Sequence, residues 1–391
     1  MAIMTEIKIH GECERKFAAV KDAFVANFAS GEEIGAAVAV TVDGQTVVDL
    51  WAGFADQART RPWERNTIAT VYSTTKGMTA ICAHRLVEQG FLDLDAPVAK
   101  YWPEFAQAGK QDVPVHMLLS HQVGLPAVSK KLPPGAIYEW DTMTKVLAEQ
   151  RPFWEPGTRH GYHALTYGWL VGEAVRRISG KSLGRFFRDE VAGPLELDFH
   201  IGIGAEHDHR VAEMIAVDPA SEAAQAQAKL REEKLQSMDP ALREAQGNIQ
   251  LLPDSHNSEQ WRRSEIPAAN GHSDARSLAR VYGALARGGE MDGVHVLSRE
   301  TIGCATVEQA KGTDAILTFP TRFALGFMLS HSGAPMGPNP NNFGHPGAGG
   351  SVGFADPDAH IGFGYVMNQM KIGVLVEGTG RRLIDALYAS L

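Results

Sequence analysis

The sequence contains little that would support a metal site, a disulfide framework or a nucleic-acid surface. Its three cysteines, Cys13, Cys82 and Cys304, are few and far apart, which indicates neither metal ligation nor disulfide pairing. Lysine and arginine number 37 against 46 acidic residues, and no block of positive charge occurs. No apolar run is long enough to cross a membrane. We therefore expect no metal, no cofactor, and neither nucleic acid nor membrane as a partner.

The first ten residues mix acidic and basic side chains without an apolar run, so they predict no signal peptide and hence a cytoplasmic protein. Hydrophobic residues make up 44% of the chain and charged residues 21%, which is typical of a globular protein with ample core. Because 391 residues exceed the usual single-domain size, we expect two lobes or one large domain. The oligomeric state stays open.

Hydrophobic periodicity predicts that the two ends of the chain share one sheet. Residues 14–28 place phenylalanine and valine on one helical stripe. Residues 35–42 and 46–54 are strand-like and flank the turn Asp43-Gly44, which indicates a hairpin. Near the C-terminus, further strands are predicted, and a last helix follows them: residues 323–329, 351–354 and 361–367 for the strands, residues 383–388 for the helix.

The middle of the chain has mostly helical patterns and long loops. Ser273 is the predicted cap of one clear helix. Residues 205–263 are expected to form exposed helices and loops, and whether they cap a site stays open. The predicted fold class is α+β (an α/β sandwich), an antiparallel sheet flanked by helices with an inserted all-helical lobe. Residues 1–78 and 290–391 would form the sheet domain and residues 79–289 the helical one, with a pocket at their junction.

Ser73 and Lys76 stand three residues apart at the predicted start of a helix, so their side chains would share one face. A serine hydroxyl becomes nucleophilic when a base takes its proton, and a buried lysine has the lowered pKa that such a base needs. The helix N-terminus adds free N–H groups that suit an oxyanion. The alternative is a serine cap beside a solvated lysine, because so short a motif often arises by chance.

Two further stretches have unusual chemistry. Tyr162 lies in a loop after a Pro-Gly-Thr turn, and a tyrosine near a lysine can exchange protons with a serine. Its alternative is a loop tyrosine that only packs its ring. Residues 343–351 are mostly small, so a substrate could lie close to the backbone, and a main-chain N–H there could join that of Ser73 in an oxyanion hole. The alternative is a glycine-rich strand that lets two chains approach closely.

Residues 349–353 also fit G-x-S-x-G, the nucleophile elbow of α/β-hydrolases, with Ser351 as nucleophile. That elbow needs a helix after the serine, but the pattern after Ser351 is strand-like. Only His360, preceded by Asp356 and Asp358, remains to complete a triad. This interpretation is therefore the weaker one.

Ser73-Thr74-Thr75-Lys76, Tyr162 and His345-Pro346-Gly347 occur in an order that resembles the serine β-lactamase and penicillin-binding-protein superfamily, most closely the class C-like family VIII carboxylesterases. The resemblance covers nearly the whole chain, including residues 119–126, 156–158 and 275–280. It implies the class C β-lactamase-like fold, in which the site lies between the sheet and the helical lobe.

By this resemblance Ser73 is the nucleophile, and Tyr162, held near phenolate by Lys76, takes its proton. The N–H groups of Ser73 and Ala348 would form the oxyanion hole. Substrate would contact four further positions: Ala164, His345, Gly347 and Gly349. His121, His160 and His163 are expected to be packing or hydrogen-bonding residues.

Two departures bear on the substrate. Ala164 replaces the asparagine that binds the antibiotic's amide in lactamases, and His345 replaces a lysine that holds its carboxylate. An imidazole is a weaker anion anchor at neutral pH. The predicted function is therefore a serine carboxylesterase that hydrolyses small, short-chain uncharged esters through a Ser73 acyl-enzyme. Three alternatives remain: a weak β-lactamase or D-alanyl peptidase, an acyltransferase, and a catalytically silent binding protein.

Overall fold

The computed structural model describes residues 7–251, 254–333 and 335–391. Residues 1–6, on which the signal-peptide prediction partly depends, and residues 252–253 of the suggested cap lie outside the described residues. Within the described ranges no helix is long and apolar enough to cross a membrane. The cytoplasmic location stays a prediction.

Antiparallel strands from both ends of the chain form one large sheet. The strands are β1 Ile9–Cys13, β2 Gly35–Val42, β3 Gln45–Gly53, β4 Ala69–Thr70, β5 Phe199–Ile201, β6 Gly271–Ser273, β7 Glu290–Met291, β8 Val294–His295, β9 Ala310–Thr313, β10 Pro320–Phe323, β11 Met328–Leu329, β12 Phe343–Pro346, β13 Val352–Asp356 and β14 Ile361–Met367. The large sheet has nine strands in the order β1-β3-β2-β14-β13-β12-β11-β10-β9. A three-stranded sheet, β4-β6-β5, and a two-stranded hairpin, β7-β8, are separate from it.

Helices pack on the sheet and also make up most of the middle of the chain. They are α1 Ala18–Ala29, α2 Thr75–Glu88, α3 His116–Leu119, α4 Trp140–Glu149, α5 Thr166–Ser179, α6 Leu183–Phe187, α7 Glu222–Ser237, α8 Pro240–Ala245, α9 Glu259–Arg263, α10 Ala275–Ala286, α11 Arg299–Ala305 and α12 Gly378–Tyr388. The α+β class with an antiparallel sheet is confirmed.

Strand β14 packs against a different helix on each of its two faces. A Cβ at Gly362 would lie 2.1 Å from the Ala279 carbonyl oxygen, and one at Gly364 would lie 2.2 Å from that of Ala275. Only glycine therefore lets α10 approach this face so closely. On the other face the Tyr365 hydroxyl lies 3.0 Å from Thr379 Oγ1 of α12. The core thus lies on both sides of the sheet.

Two details differ from the sequence prediction. Residues 323–329 are not one strand, because the chain turns at Gly326, where φ is +91°, and pairs Phe323 with Met328. The cap of α10 is Asp274 rather than Ser273, since the Asp274 carboxylate accepts the Ser277 N–H while Ser273 ends β6. The division into sheet and helical domains stays a prediction, and α10, placed in the helical part, packs on the sheet.

Candidate active site

The chain makes a tight 3₁₀ turn, Tyr72–Thr74, immediately before α2, and Ser73 is at its centre. Tyr72 has φ of +44°, a left-handed conformation that is costly for a residue with a side chain. The turn is fixed to β6, because Val71 N–H donates to Gly271 O at 2.8 Å and Gly271 N–H donates to Thr75 Oγ1 at 2.9 Å. Ser73 is therefore presented by a constrained backbone, with Lys76 one turn later.

Lys76 is fully buried, and its amine has three oxygen neighbours. Nζ lies 3.2 Å from Ser73 Oγ, 2.8 Å from the Ala164 carbonyl oxygen and 2.9 Å from that of Ala268. Among the residues that the structure describes, no carboxylate forms an ion pair with it. Burial holds the pKa of Lys76 well below its usual value.

Tyr162 lies beside this amine, with its ring centroid 4.7 Å from Lys76 Nζ. The ring stacks on Phe323 and His345, and its backbone N–H donates to Asp314 Oδ1 at 3.0 Å. Burial raises the pKa of Tyr162, and a hydrogen bond with Ser73 lowers it by less. The neutral phenol is thus favoured, against the phenolate expected from the sequence.

The glycine-rich segment after β12 packs directly on the serine turn. A Cβ at Gly347 would lie 2.3 Å from the Val71 carbonyl oxygen, so only glycine fits there. Ser351 Oγ donates to the same oxygen at 2.8 Å. The backbone N–H groups of Ser73 and Ala348 make no hydrogen bond to the protein in the described part of the chain. Both could therefore donate to an oxyanion, and the oxyanion hole stays a prediction.

The backbone N–H and carbonyl of Gly349, a predicted substrate contact, both have hydrogen-bond partners within the protein. Its carbonyl accepts the Lys371 N–H at 2.9 Å, and its N–H donates to Gly373 O at 3.4 Å. Its φ of +84° and a would-be Cβ 3.0 Å from Met370 explain why glycine is needed. Gly349 therefore joins the segment 370–373 to the site, a connection without a local sequence signal.

His345 is buried and neutral, since burial lowers its pKa to about 3. Its Nδ1 lies 2.7 Å from the Pro346 carbonyl oxygen, an acceptor, so Nδ1 carries the proton. The position that a lysine occupies in lactamases therefore presents no positive charge.

The other histidines near the motif have structural partners. His163 Nε2 accepts the Leu125 N–H at 3.0 Å, and His163 N–H donates to His121 Nδ1 at 3.2 Å. His160 Nε2 lies 2.9 Å from Thr321 Oγ1. Packing and hydrogen bonding thus account for all three.

The G-x-S-x-G alternative does not match the structure. Ser351 is buried, its hydroxyl is bonded to the serine turn, and strand β13 rather than a helix follows it. His360 instead lies 2.8 Å from Asp43 at the sheet's β2–β3 turn. No group of three or more metal-ligating side chains occurs in the described ranges.

A family model described as Beta-lactamase matches residues 19–387. The chain belongs to the beta-lactamase family. "Esterase/beta-lactamase LipL" of Mycobacterium tuberculosis is 39% identical over 380 residues, covering 93% of this chain and 83% of that protein.

Two solved structures share the fold over almost the full length. A family VIII carboxylesterase is 43% identical with a TM-score of 0.90, covering 98% of this chain and 100% of its own. A penicillin-binding-protein homologue from Caulobacter crescentus is 38% identical with a TM-score of 0.86, at the same coverage. This member of the beta-lactamase family is a serine hydrolase.

Ala164 and Ala268 contribute backbone carbonyls, rather than side chains, to this beta-lactamase-family site. The Ala164 methyl group is exposed, so the position of the lactamase asparagine is open space. Its carbonyl and that of Ala268 hold the lysine amine instead. Sequence reasoning found Ala164 for another reason and missed Ala268, because a backbone carbonyl leaves no mark in the sequence.

Proposed function

We propose that the protein is a serine carboxylesterase that hydrolyses short-chain, uncharged esters through a Ser73 acyl-enzyme. The arrangement around Lys76 Nζ carries this proposal. A neutral amine has two N–H donors and one lone pair, and the Ala164 and Ala268 carbonyls can only accept hydrogen bonds. With both N–H groups so occupied, the lone pair faces the Ser73 hydroxyl at 3.2 Å.

In the first step Lys76 takes the Ser73 proton as Oγ attacks the ester carbonyl. The N–H groups of Ser73 and Ala348 bind the oxyanion. Tyr162 gives its hydroxyl proton to the leaving alcohol and regains one from the Lys76 ammonium. In the second step a water molecule loses a proton to Lys76, attacks the acyl carbon and releases the acid, and Ser73 recovers its proton. The water is the only co-reactant.

Uncharged substrates are favoured because His345, at the position of the carboxylate-binding lysine of lactamases, presents no positive charge. Burial keeps His345 neutral, and Ala164 has no amide for an antibiotic side chain. The family VIII carboxylesterase and the esterase/beta-lactamase among the relatives support an ester as the substrate.

The test is a paired rate assay on the purified protein, with p-nitrophenyl butyrate in one cuvette and a chromogenic cephalosporin in the other. We expect ester cleavage that Ser73→Ala abolishes, while Ser237→Ala, a control serine on α7, leaves it unchanged. Ester cleavage that survives Ser73→Ala contradicts the nucleophile assignment.

The second candidate is a β-lactamase, which the printed name of the Mycobacterium tuberculosis relative favours. Ser73-dependent cephalosporin turnover that equals ester turnover would select it. Added alcohol acceptors that divert the acyl group from water would instead indicate an acyltransferase. No Ser73-dependent signal and no labelling by a fluorophosphonate would indicate a silent binding protein.

A further inference from the structure

The two predicted oxyanion donors belong to separate segments, and each has a left-handed residue beside it. The Ser73 N–H is part of the peptide bond that follows Tyr72, whose φ is +44°. The Ala348 N–H lies one residue before Gly349, whose φ is +84°. A left-handed residue other than glycine persists only where the surrounding structure holds it. The orientation of the Ser73 N–H therefore depends on what contacts Tyr72.

The Tyr72 side chain is buried and held at both its ring and its hydroxyl. The ring meets His256 edge to face at a centroid distance of 5.3 Å, and Trp261 lies at 6.4 Å. The hydroxyl donates to Met370 Sδ at 3.3 Å, its one hydrogen bond to the residues that the structure describes. A buried hydroxyl needs a partner, and here the thioether sulfur supplies it.

The Met370 side chain also packs on Gly349. A Cβ at Gly349 would lie 3.0 Å from Met370 Cγ and 3.2 Å from Met370 Cβ. The Met370 backbone is itself fixed, because its N–H donates to Ile215 O at 2.9 Å and the next N–H, that of Lys371, donates to Gly349 O at 2.9 Å. One side chain thus contacts the residue before Ser73 and the residue after Ala348.

We propose that Met370 is a positioning residue for the oxyanion hole. Its sulfur holds the Tyr72 hydroxyl while its methylene groups pack on Gly349, so that it fixes the separation of the Ser73 and Ala348 N–H groups. This inference rests on the proposed esterase function. Because a pre-organised pair of donors stabilises the transition state more than the bound ester, loss of the Met370 contact should lower kcat and leave KM almost unchanged.

The test measures kcat and KM with p-nitrophenyl butyrate, together with the inhibition constant of phenylboronic acid. The boron atom of this inhibitor accepts the Ser73 oxygen in a reversible tetrahedral adduct, and one boron-bound oxygen would occupy the oxyanion hole. Tyr72→Phe removes the hydrogen-bond donor and keeps the ring. Met370→Leu removes the acceptor and keeps a similar side-chain volume. The double variant shows whether the two side chains act through one contact.

Met367→Leu is the matched control. Met367 Cε also lies 3.0 Å from the Cβ position at Gly349, but within the described ranges no group donates a hydrogen bond to the Met367 sulfur. Because this exchange nearly conserves volume, kcat and the inhibition constant should stay within about twofold of those of the unchanged protein. The melting temperatures of all four variants show whether the fold is retained.

We expect each of Tyr72→Phe and Met370→Leu to lower kcat about tenfold and to raise the phenylboronic acid inhibition constant about as much, while KM stays within about twofold. The loss is smaller than the roughly 10²–10³-fold cost of deleting an oxyanion donor, because both donors remain. The double variant should lose no more than either single variant, since each removes the same contact.

Three results would overturn the role of Met370 while the esterase proposal stands, provided that the unchanged protein cleaves esters through Ser73. They are an unchanged kcat in both single variants, losses that multiply in the double variant, and a lower kcat with an unchanged inhibition constant. If the unchanged protein cleaves no ester through Ser73, both proposals are overturned.

Discussion

The protein has two fully buried lysines whose surroundings differ in one acceptor. Lys110 Nζ donates to three backbone carbonyls, those of Gln107, Ala148 and Gln150, which together accept all the protons of an ammonium group. Lys76 has two carbonyls and the Ser73 hydroxyl. Burial lowers the pKa of both, that of Lys110 to about 8. Under the proposed mechanism this hydroxyl allows Lys76 to act as the base, whereas the three carbonyls around Lys110 favour a structural cation.

Lys76→Met should lower kcat/KM by about 10²–10⁴-fold with the fold retained, because it removes the base and keeps an apolar chain of similar length. In the unchanged protein kcat/KM should fall as pH drops through the lowered pKa of Lys76, since only the neutral amine accepts the serine proton. Initial rates from pH 5 to 10 measure both effects.

Lys110→Met serves as the buried-lysine control. It should lower the melting temperature, because it leaves three carbonyls without donors, yet keep the kcat/KM of the folded fraction. Equal losses of activity in the two variants would argue against a special role for Lys76.

Tyr162→Phe should slow the hydrolysis of alkyl esters far more than that of p-nitrophenyl esters. An alkoxide needs the proton that the neutral Tyr162 phenol donates, whereas p-nitrophenolate leaves without one. Tyr282→Phe is the control, because the Tyr282 hydroxyl is also buried but has no hydrogen-bond partner among the residues that the structure describes. The ratio of kcat for ethyl butyrate to kcat for p-nitrophenyl butyrate measures this difference. An equal loss of kcat for both substrates would exclude the proton-donor role.

At the scale of elements, the site depends on contact between a helix start and a strand end. The turn before α2 carries Ser73, and the segment after β12 carries Ala348. Ser351 joins them through Val71 O and lies 3.3 Å from Thr74 Oγ1. The proposed oxyanion hole would thus depend on two elements that are joined by a hydrogen bond between residues 280 positions apart in the chain.

Ser351→Ala should lower kcat about tenfold, less than loss of a whole oxyanion donor, because the loop keeps its position but loses one hydrogen bond. Ser330→Ala, which removes a similarly buried hydroxyl on another part of the sheet, should leave kcat unchanged. Peptide mapping after fluorophosphonate labelling should find Ser73. A label on Ser351, or a complete loss of activity in Ser351→Ala, would revive the nucleophile-elbow interpretation.

At the scale of the whole molecule, buried histidines link folding to pH. Burial lowers the pKa of His163, His272 and His345 to about 3, so the unfolded chain binds protons near pH 6.5 that the folded protein does not. Their effect is absent above pH 6.5 and destabilises the fold as pH falls toward 3. Glu33 has the opposite effect on stability. Burial raises its pKa to about 7, so as pH falls the folded protein binds this proton before the unfolded chain does.

Each of these three histidines takes up a proton on unfolding below pH 6.5 and so lowers the free energy of unfolding by about 1.4 kcal/mol per pH unit. His121, whose pKa burial also lowers, acts in the same direction. Urea unfolding at pH 7.5, 6.5 and 5.5 should show this decrease. His272→Gln, at a position outside the catalytic set, should make the slope shallower by about one proton. A free energy of unfolding that is constant across this range would contradict the linkage.

The sequence by itself determined the local features of this protein. The hairpin at Asp43-Gly44, the helix after Ser73 and the placement of Lys76 on the serine's face follow from neighbouring residues, whose spacing repeats with the period of the element. The order of the motifs along the chain indicated the family, and the Beta-lactamase model match confirmed it. The ester substrate stays a proposal.

Tertiary structure alone decided how those features act. The Ala268 carbonyl reaches Lys76 from 192 residues away, and the Lys371 backbone holds Gly349. Proton affinities also follow from burial, which raises the pKa of Tyr162 and so favours the neutral phenol over the predicted phenolate. The physical reason is that backbone acceptors and desolvation depend on which distant segments pack together, and no local pattern of side chains records that packing.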